Sequence, residues 1–171
     1  TAMKQVKLRY DFTPMDQPTD ALFRRFYYGG RVQTFKHGIL KGPWQYVDLN
    51  SSYPNAMKNY QHPVNGAFDV VDKRPRGFKK PYFLRFIGSN KNALPSKCED
   101  GSLGFAKEHG EFFACSHELE VALDHGLVTI DKVLECYVAT ETINFATYVD
   151  DFFAQKVAAE EAGDKAGRLF A

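Results

Sequence analysis

Asp48-Leu49-Asn50-Ser51-Ser52-Tyr53-Pro54 is the stretch on which the reading of this chain turns. Ahead of it, residues 44–49 carry Trp44, Tyr46, Val47 and Leu49 and read as a β-strand. Behind it, residues 51–60 read as a helix. Ser51 or Ser52 can cap it, and Pro54 falls in the first turn, where a missing N–H does no harm. Asp48 is therefore expected at the C-terminal end of a strand, immediately before a helix. A carboxylate there can hold a hard cation through oxygen, and the helix amides beside it face an anionic phosphate. Phosphoryl transfer through paired metals needs at least two such carboxylates, and only Asp48 stands in that context. On spacing alone, an aspartate that merely closes a strand before a capped helix explains the same pattern.

Working outward from this stretch, residues 5–11 alternate Val6, Leu8 and Tyr10 with Lys7 and Arg9, the period of a half-buried strand. Residues 12–20 hold Pro14, Pro18, Asp16 and Asp20 and read as a loop. Residues 21–28 are dense in aromatics and arginine and end at Gly29-Gly30, which frees the backbone for φ > 0 or close approach to a partner. Residues 31–36 read as a short strand. On the other side, strands are expected at 67–71, 82–87, 111–115, 128–130 and 133–139, with turn-rich segments at 73–81 and 88–104. Ser116 is a candidate N-cap for a helix that buries Leu119, Ala122 and Leu123 and stops at Gly126. Val149, Phe152, Phe153 and Val157 then share a helical stripe, interrupted only by Lys156, with a break at Ala162-Gly163 and a further helix beginning near Asp164. Strands and helices in this mixture give an α+β fold class.

Composition sets outer limits. The net charge of +1 does not mark a strongly cationic nucleic-acid binder, so any such site must be a local patch. The densest patch is residues 73–80, where Lys73, Arg74, Arg76, Lys79 and Lys80 occur with no acid between them; a solvated loop explains it equally well. Cys98, Cys115 and Cys136 are an odd, scattered set that fits reduced thiols rather than a disulfide framework. A zinc site built from these cysteines with His109, His117 or His125 is disfavoured, because the spacings match no metal-binding pattern and His117-Glu118 lacks a histidine four residues after His117. No apolar run approaches the ~20 residues of a membrane span, and no signal-peptide pattern opens the chain.

The 48–54 stretch resembles motif A of the family B DNA polymerases, Asp-x-x-Ser-x-Tyr-Pro. Upstream of it, Tyr27-Tyr28-Gly29-Gly30 followed by Arg31 resembles the Tyr-x-Gly-Gly motif of the protein-primed branch found in bacteriophages and linear plasmids. The two motifs in this order are much more specific than either alone. The resemblance implies a front portion of a polymerase: residues 1–60 as the start of the palm, 61–144 as an inserted small α+β subdomain that contacts a terminal protein and DNA, and 145–171 as the start of the fingers helices. It implies Asp48 as the catalytic metal ligand, with the backbone carbonyl of Leu49 helping to hold Mg²⁺. It places Ser51, Ser52 and Tyr53 at the incoming deoxynucleoside triphosphate, Tyr53 excluding a 2′-hydroxyl, and Arg168 near the triphosphate. Ser52 departs from the bulky aliphatic residue common there.

Tyr27, Gly29, Gly30 and Arg31 are implied to touch the template strand of a DNA template-primer. The 73–80 patch is implied to meet DNA or the terminal protein primer. The family pattern further places Lys-x-x-x-Asn-Ser-x-Tyr-Gly and Asp-Thr-Asp motifs after the point reached by Ala171, so this chain alone is expected to be inactive. With the palm sheet incomplete, exposed apolar surface and self-association are expected. The cytoplasm of a bacterial host is the implied location. The alternative reading is a non-catalytic DNA- or terminal-protein-binding module derived from such a polymerase.

Overall fold

A computed structural model describes residue 10 and residues 13–32, 34, 36–49, 51–77 and 80–164. The strand expected at 5–11 falls almost wholly outside these residues, as do Asn50, Lys79, Arg168 and the helix expected after Asp164.

The centre is a four-stranded antiparallel sheet. β1 (His62–Pro63) precedes it, and its strands are β2 (Phe68–Val70), β3 (Tyr82–Asn90), β6 (His109–Cys115) and β7 (Val128–Ala139), in the order β2-β7-β3-β6. β3 is the axis because strands pair along both its edges. Tyr82, Leu84 and Phe86 point one way and are fully buried, while Phe83, Arg85 and Ile87 point the other. Leu84 lies opposite Ala114 of β6 and Cys136 of β7, which fixes the register of the buried face.

β7 runs unbroken where the sequence suggests two strands. Asp131 and Leu134 have no partner in β3, and the register shifts beside them mark bulges rather than a turn. Gly88 sits at one shift because a Cβ there would lie 1.9 Å from the Thr129 carbonyl oxygen. Two short strands, β4 (Ser96–Lys97) and β5 (Leu103–Gly104), pair beside the sheet, and β8 (Thr142–Ile143) pairs with β1.

Each face of the sheet is covered by a different segment. On one face lies a helix at Ser116–Asp124, the third in chain order and labelled α3, with Leu119 and Ala122 buried against Tyr82, Leu84, Phe86 and Phe112. Cys115, not Ser116, is its N-cap: the Cys115 amide donates to Glu118 Oε1 at 3.0 Å, and buried Ser116 instead accepts from the Tyr82 amide at 3.2 Å. Gly126 at φ 63° ends it as expected.

On the opposite face lies α1 (Gln17–Phe23), continued by a 3₁₀ turn at Arg24–Phe26. Phe23 stacks at 4.2 Å on Phe68 and 4.8 Å on Phe83, and Phe26 meets Phe113 at 5.5 Å. This helix begins inside the segment expected to be a loop. The same residues that break a helix interior start one: Asp16 accepts from the Thr19 amide at 2.8 Å, and Pro18 lies in the first turn.

A second cluster surrounds α2 (Ser52–Asn59) and α4 (Ala146–Glu161). Asn144 joins them: its Nδ2 donates to Lys58 O at 2.6 Å and Tyr60 O at 3.0 Å, and its Oδ1 accepts from the Ala146 amide at 2.8 Å. Lys58 pairs with Asp150 at 2.6 Å. The stripe expected along α4 is only partly covered, Phe153 and Val157 remaining exposed. Residues 44–49 carry no strand, so the strand expected there is not formed, while the strand expected at 31–36 lies partly outside the described residues. The side chains of 44–49 favour extended backbone, but a strand also needs a partner to receive its hydrogen bonds. The fold is a mixture of helices and antiparallel sheets, in agreement with the α+β expectation.

Candidate functional site

The 48–54 stretch is built around a strained turn. Ser51 adopts φ 54°, ψ 39°, a left-handed conformation uncommon for a residue with a Cβ. Its side chain makes no capping bond, contrary to the cap expected from the sequence, although its carbonyl accepts from the Asn55 amide at 2.9 Å. The helix starts at Ser52, and Pro54 falls in its first turn as expected. Asp48, Ser51 and Ser52 are exposed, as are Leu49 (77%) and Tyr53 (79%). Asp48 follows a segment without a paired strand. Its carboxylate and the Leu49 carbonyl are hard oxygen donors suited to a divalent cation. Among the described residues no group of three His, Cys, Asp or Glu gathers.

The Tyr27–Arg31 loop leaves the 3₁₀ turn and runs beside the β4–β5 hairpin. Tyr27 is exposed, at 72%. Neither Gly29 nor Gly30 takes a positive φ, and a Cβ on either would meet nothing within 4 Å. The pair is therefore not demanded by packing or by a left-handed turn; it leaves open backbone. The Arg31 guanidinium lies 4.0 Å over the Phe105 ring. Tyr28 is half-buried, and burial together with the nearby Glu118 carboxylate pushes its hydroxyl up to about 12. Tyr27, Tyr28, Gly29, Arg31, Phe105 and Glu118 line one side of a cleft of about 620 Å³.

The basic run divides. Lys73, Arg76 and Lys80 are exposed. Arg74 departs from the expectation: its guanidinium turns inward to buried Glu120, which also accepts from the Tyr82 hydroxyl. Its charge is thereby consumed within the fold. Two further cations that the sequence did not single out, Lys97 and Lys107, line a second cleft of about 370 Å³ with Arg25 and Tyr28. They stand alone in turn-rich sequence, and only the fold brings them together.

The model of one family, DNA polymerase type B, organellar and viral, matches residues 3–171. The chain belongs to that family. It is 32% identical over 170 residues to a DNA-directed DNA polymerase of Enterobacteria phage PRD1, an alignment covering 99% of this chain and 30% of that polymerase. No solved structure matches it significantly. The family B resemblance drawn from the two motifs is borne out, and the chain spans under a third of its curated relative's length. No helix among the described residues of this type B polymerase chain is long and apolar enough to cross a membrane.

Proposed function

We propose that this chain is the front of the polymerising region of a DNA-directed DNA polymerase that extends a terminal-protein primer. The observation that carries the reading is the exposure of Asp48, Ser51, Ser52 and Tyr53 together around the start of α2, in the order of motif A. Backbone strain of about 1–3 kcal/mol, as at Ser51, persists where a site needs it. Asp48 and the Leu49 carbonyl would hold a divalent cation, Mg²⁺ in the full polymerase, which would supply charge neutralisation at the transferred phosphate. The remaining carboxylate ligands would come from polymerase sequence outside this chain.

Free amides at the start of α2 favour anionic phosphate beside Ser51 and Ser52. Tyr53, packed against the sugar, would leave no room for a 2′-oxygen and so select deoxynucleotides. Arg168, outside the described residues, would meet the triphosphate. Tyr27, Gly29, Gly30 and Arg31 form an open loop with backbone accessible to template phosphates. Residues 61–144, which hold the central sheet, would be the inserted subdomain, with Lys73, Arg76, Lys79 and Lys80 toward DNA or terminal protein. Residues 1–60 would then join the palm, and 145–171 the fingers.

The test uses the polymerase that carries this segment. Asp48→Asn is expected to abolish nucleotide incorporation while leaving template-primer binding near normal. Tyr53→Val is expected to admit ribonucleotides. Wild-type incorporation by the Asp48→Asn enzyme would end the reading. The purified 171-residue chain, given template-primer, Mg²⁺ and deoxynucleotides, is expected to extend nothing.

A further inference from the structure

Among the described residues, some cations are committed to carboxylates and some are not. Arg24, Lys58, Arg74 and Arg85 are each committed to carboxylates, respectively Asp20, Asp150, Glu120, and Glu111 with Glu135. Lys97 and Lys107 are not. Among the described residues their ammonium groups bond main-chain oxygens alone, Lys97 to Arg24 O at 3.5 Å and Lys107 to Glu111 O at 3.0 Å. Each also lies by an aromatic ring, Lys97 at 5.7 Å from Tyr28 and Lys107 at 5.3 Å from Phe112. Neutral acceptors and rings hold these charges in place without cancelling them.

Both lysines face the 370 Å³ cleft, which is within the size of ordinary ligand sites, roughly 300–1,000 Å³. Arg25 adds a third cation, loosely paired with Glu135 at 3.6 Å. The acid lining the cleft, Glu111, is bonded by Arg85 at 2.7 Å, and Arg85 first, then the charges of Lys107 and Arg25, hold its carboxyl below the usual range. Arg25, Lys97 and Lys107 outnumber the acid that lines the cleft, and a concave site with apolar walls and an excess of positive charge concentrates anions. Tyr28 and Pro95 line this cleft and also the larger one beside the paired glycines. The two clefts therefore adjoin at Tyr28.

We propose that Lys97, Lys107 and Arg25 form a second phosphate site that continues the Tyr27–Arg31 loop, so that one DNA strand runs from the paired glycines past Tyr28 into this cleft. The proposal rests on the reading of that loop as a template contact and extends it onto the β4–β6 region. A cationic groove with aromatic walls is the pattern by which single strands are tracked without regard to sequence.

The experiment is fluorescence anisotropy of the 171-residue chain with a labelled single-stranded oligodeoxynucleotide and its duplex, over a salt series. The pair Lys97→Ala/Lys107→Ala is expected to weaken single-strand binding about tenfold and to reduce the salt slope by about 1–2. Lys97→Arg/Lys107→Arg is expected to keep the slope, which separates charge from folding. Arg31→Ala tests the loop independently. If the lysine pair leaves affinity and slope unchanged while Arg31→Ala lowers them, the second site is overturned and the loop reading stands. If Arg31→Ala has no effect while the lysine pair does, the loop reading fails and the cleft stands alone. Loss of polyglutamate binding with DNA binding intact would assign the cleft to an acidic protein and overturn the proposal. So would absence of DNA binding by the unsubstituted chain.

Discussion

Lys73 and Arg74 are neighbours in one basic run and face opposite fates. Lys73 stays in solvent, whereas Arg74 reaches back to Glu120, whose side chain is 7% exposed, and to the Tyr82 hydroxyl. Burial, reinforced by the Glu120 charge, drives the Tyr82 phenol up, so it remains a donor at any ordinary pH. Removing Arg74 leaves a buried carboxylate with one neutral partner. Fully buried pairs cost about 3–5 kcal/mol to break, and the partial exposure of Arg74 reduces that, so Arg74→Ala is expected to destabilise by about 2–3 kcal/mol in urea titration. Lys73→Ala should stay within about 0.5 kcal/mol of the parent. Gly30 gives the reverse contrast. With open space around its Cα, Gly30→Ala is expected to leave stability within about 1 kcal/mol yet weaken single-strand DNA binding in the anisotropy assay. A stability loss without a binding loss would mean that this glycine serves the fold.

The elements were legible where one chain segment settles its own structure. Alternation in β3, the stop at Gly126 and the proline in the first turn of α2 are local signals, and the structure follows them. The misses at Asp16 and Cys115 are local capping choices with partners three residues on, whereas the misses in the strands share another cause: the deciding partner is remote. Asp131-Lys132 resembles a turn until β3 pairs across it. The strand expected at 44–49 has side chains of the right kind and no neighbour to complete its hydrogen bonds. For the candidate site, the order of the motifs was visible, while the union of Lys97 with Lys107 and the diversion of Arg74 depend on the sheet.

Asn144 is another long-range device, tying the end of α2 to the start of α4 through three bonds of 2.6–3.0 Å. Asn144→Ala is expected to accelerate amide exchange in α2 and at Ala146 while leaving the β3 amides protected; uniform acceleration would show that α2 and the sheet open together. His117 of α3 reports on the same neighbourhood, its ring 4.9 Å from Tyr60. Burial, then the charge of His62, holds its pKa below the ordinary value of about 6.5. The folded state thus binds its proton less readily than the unfolded state. The stabilisation is full above pH ~6.5 and declines as pH falls toward the lowered folded value. Urea midpoints measured across that window should drop less in His117→Gln than in the parent.

At the scale of the whole molecule, the apolar surface is unevenly spent. The central sheet is covered on both faces, yet Val32 and Tyr46 are 94% exposed, and Trp44, Val47 and Leu49 are exposed in the same stretch of chain. Exposed apolar side chains without a partner offer surface that recruits another chain. In the polymerase reading, that partner is the rest of the palm; for the isolated chain, the nearest substitute is a second copy of itself. The chain is therefore expected to bind an apolar dye and to show an apparent mass that rises with concentration in light scattering. Val32→Lys with Tyr46→Lys should suppress both effects, because a charge placed there must be desolvated when an apolar surface docks. The same pair should leave the urea midpoint nearly unchanged, since neither side chain contributes to the buried core. A constant monomeric mass for the parent, with no dye binding, would show that segment 31–49 is covered in solution by some part of its own chain.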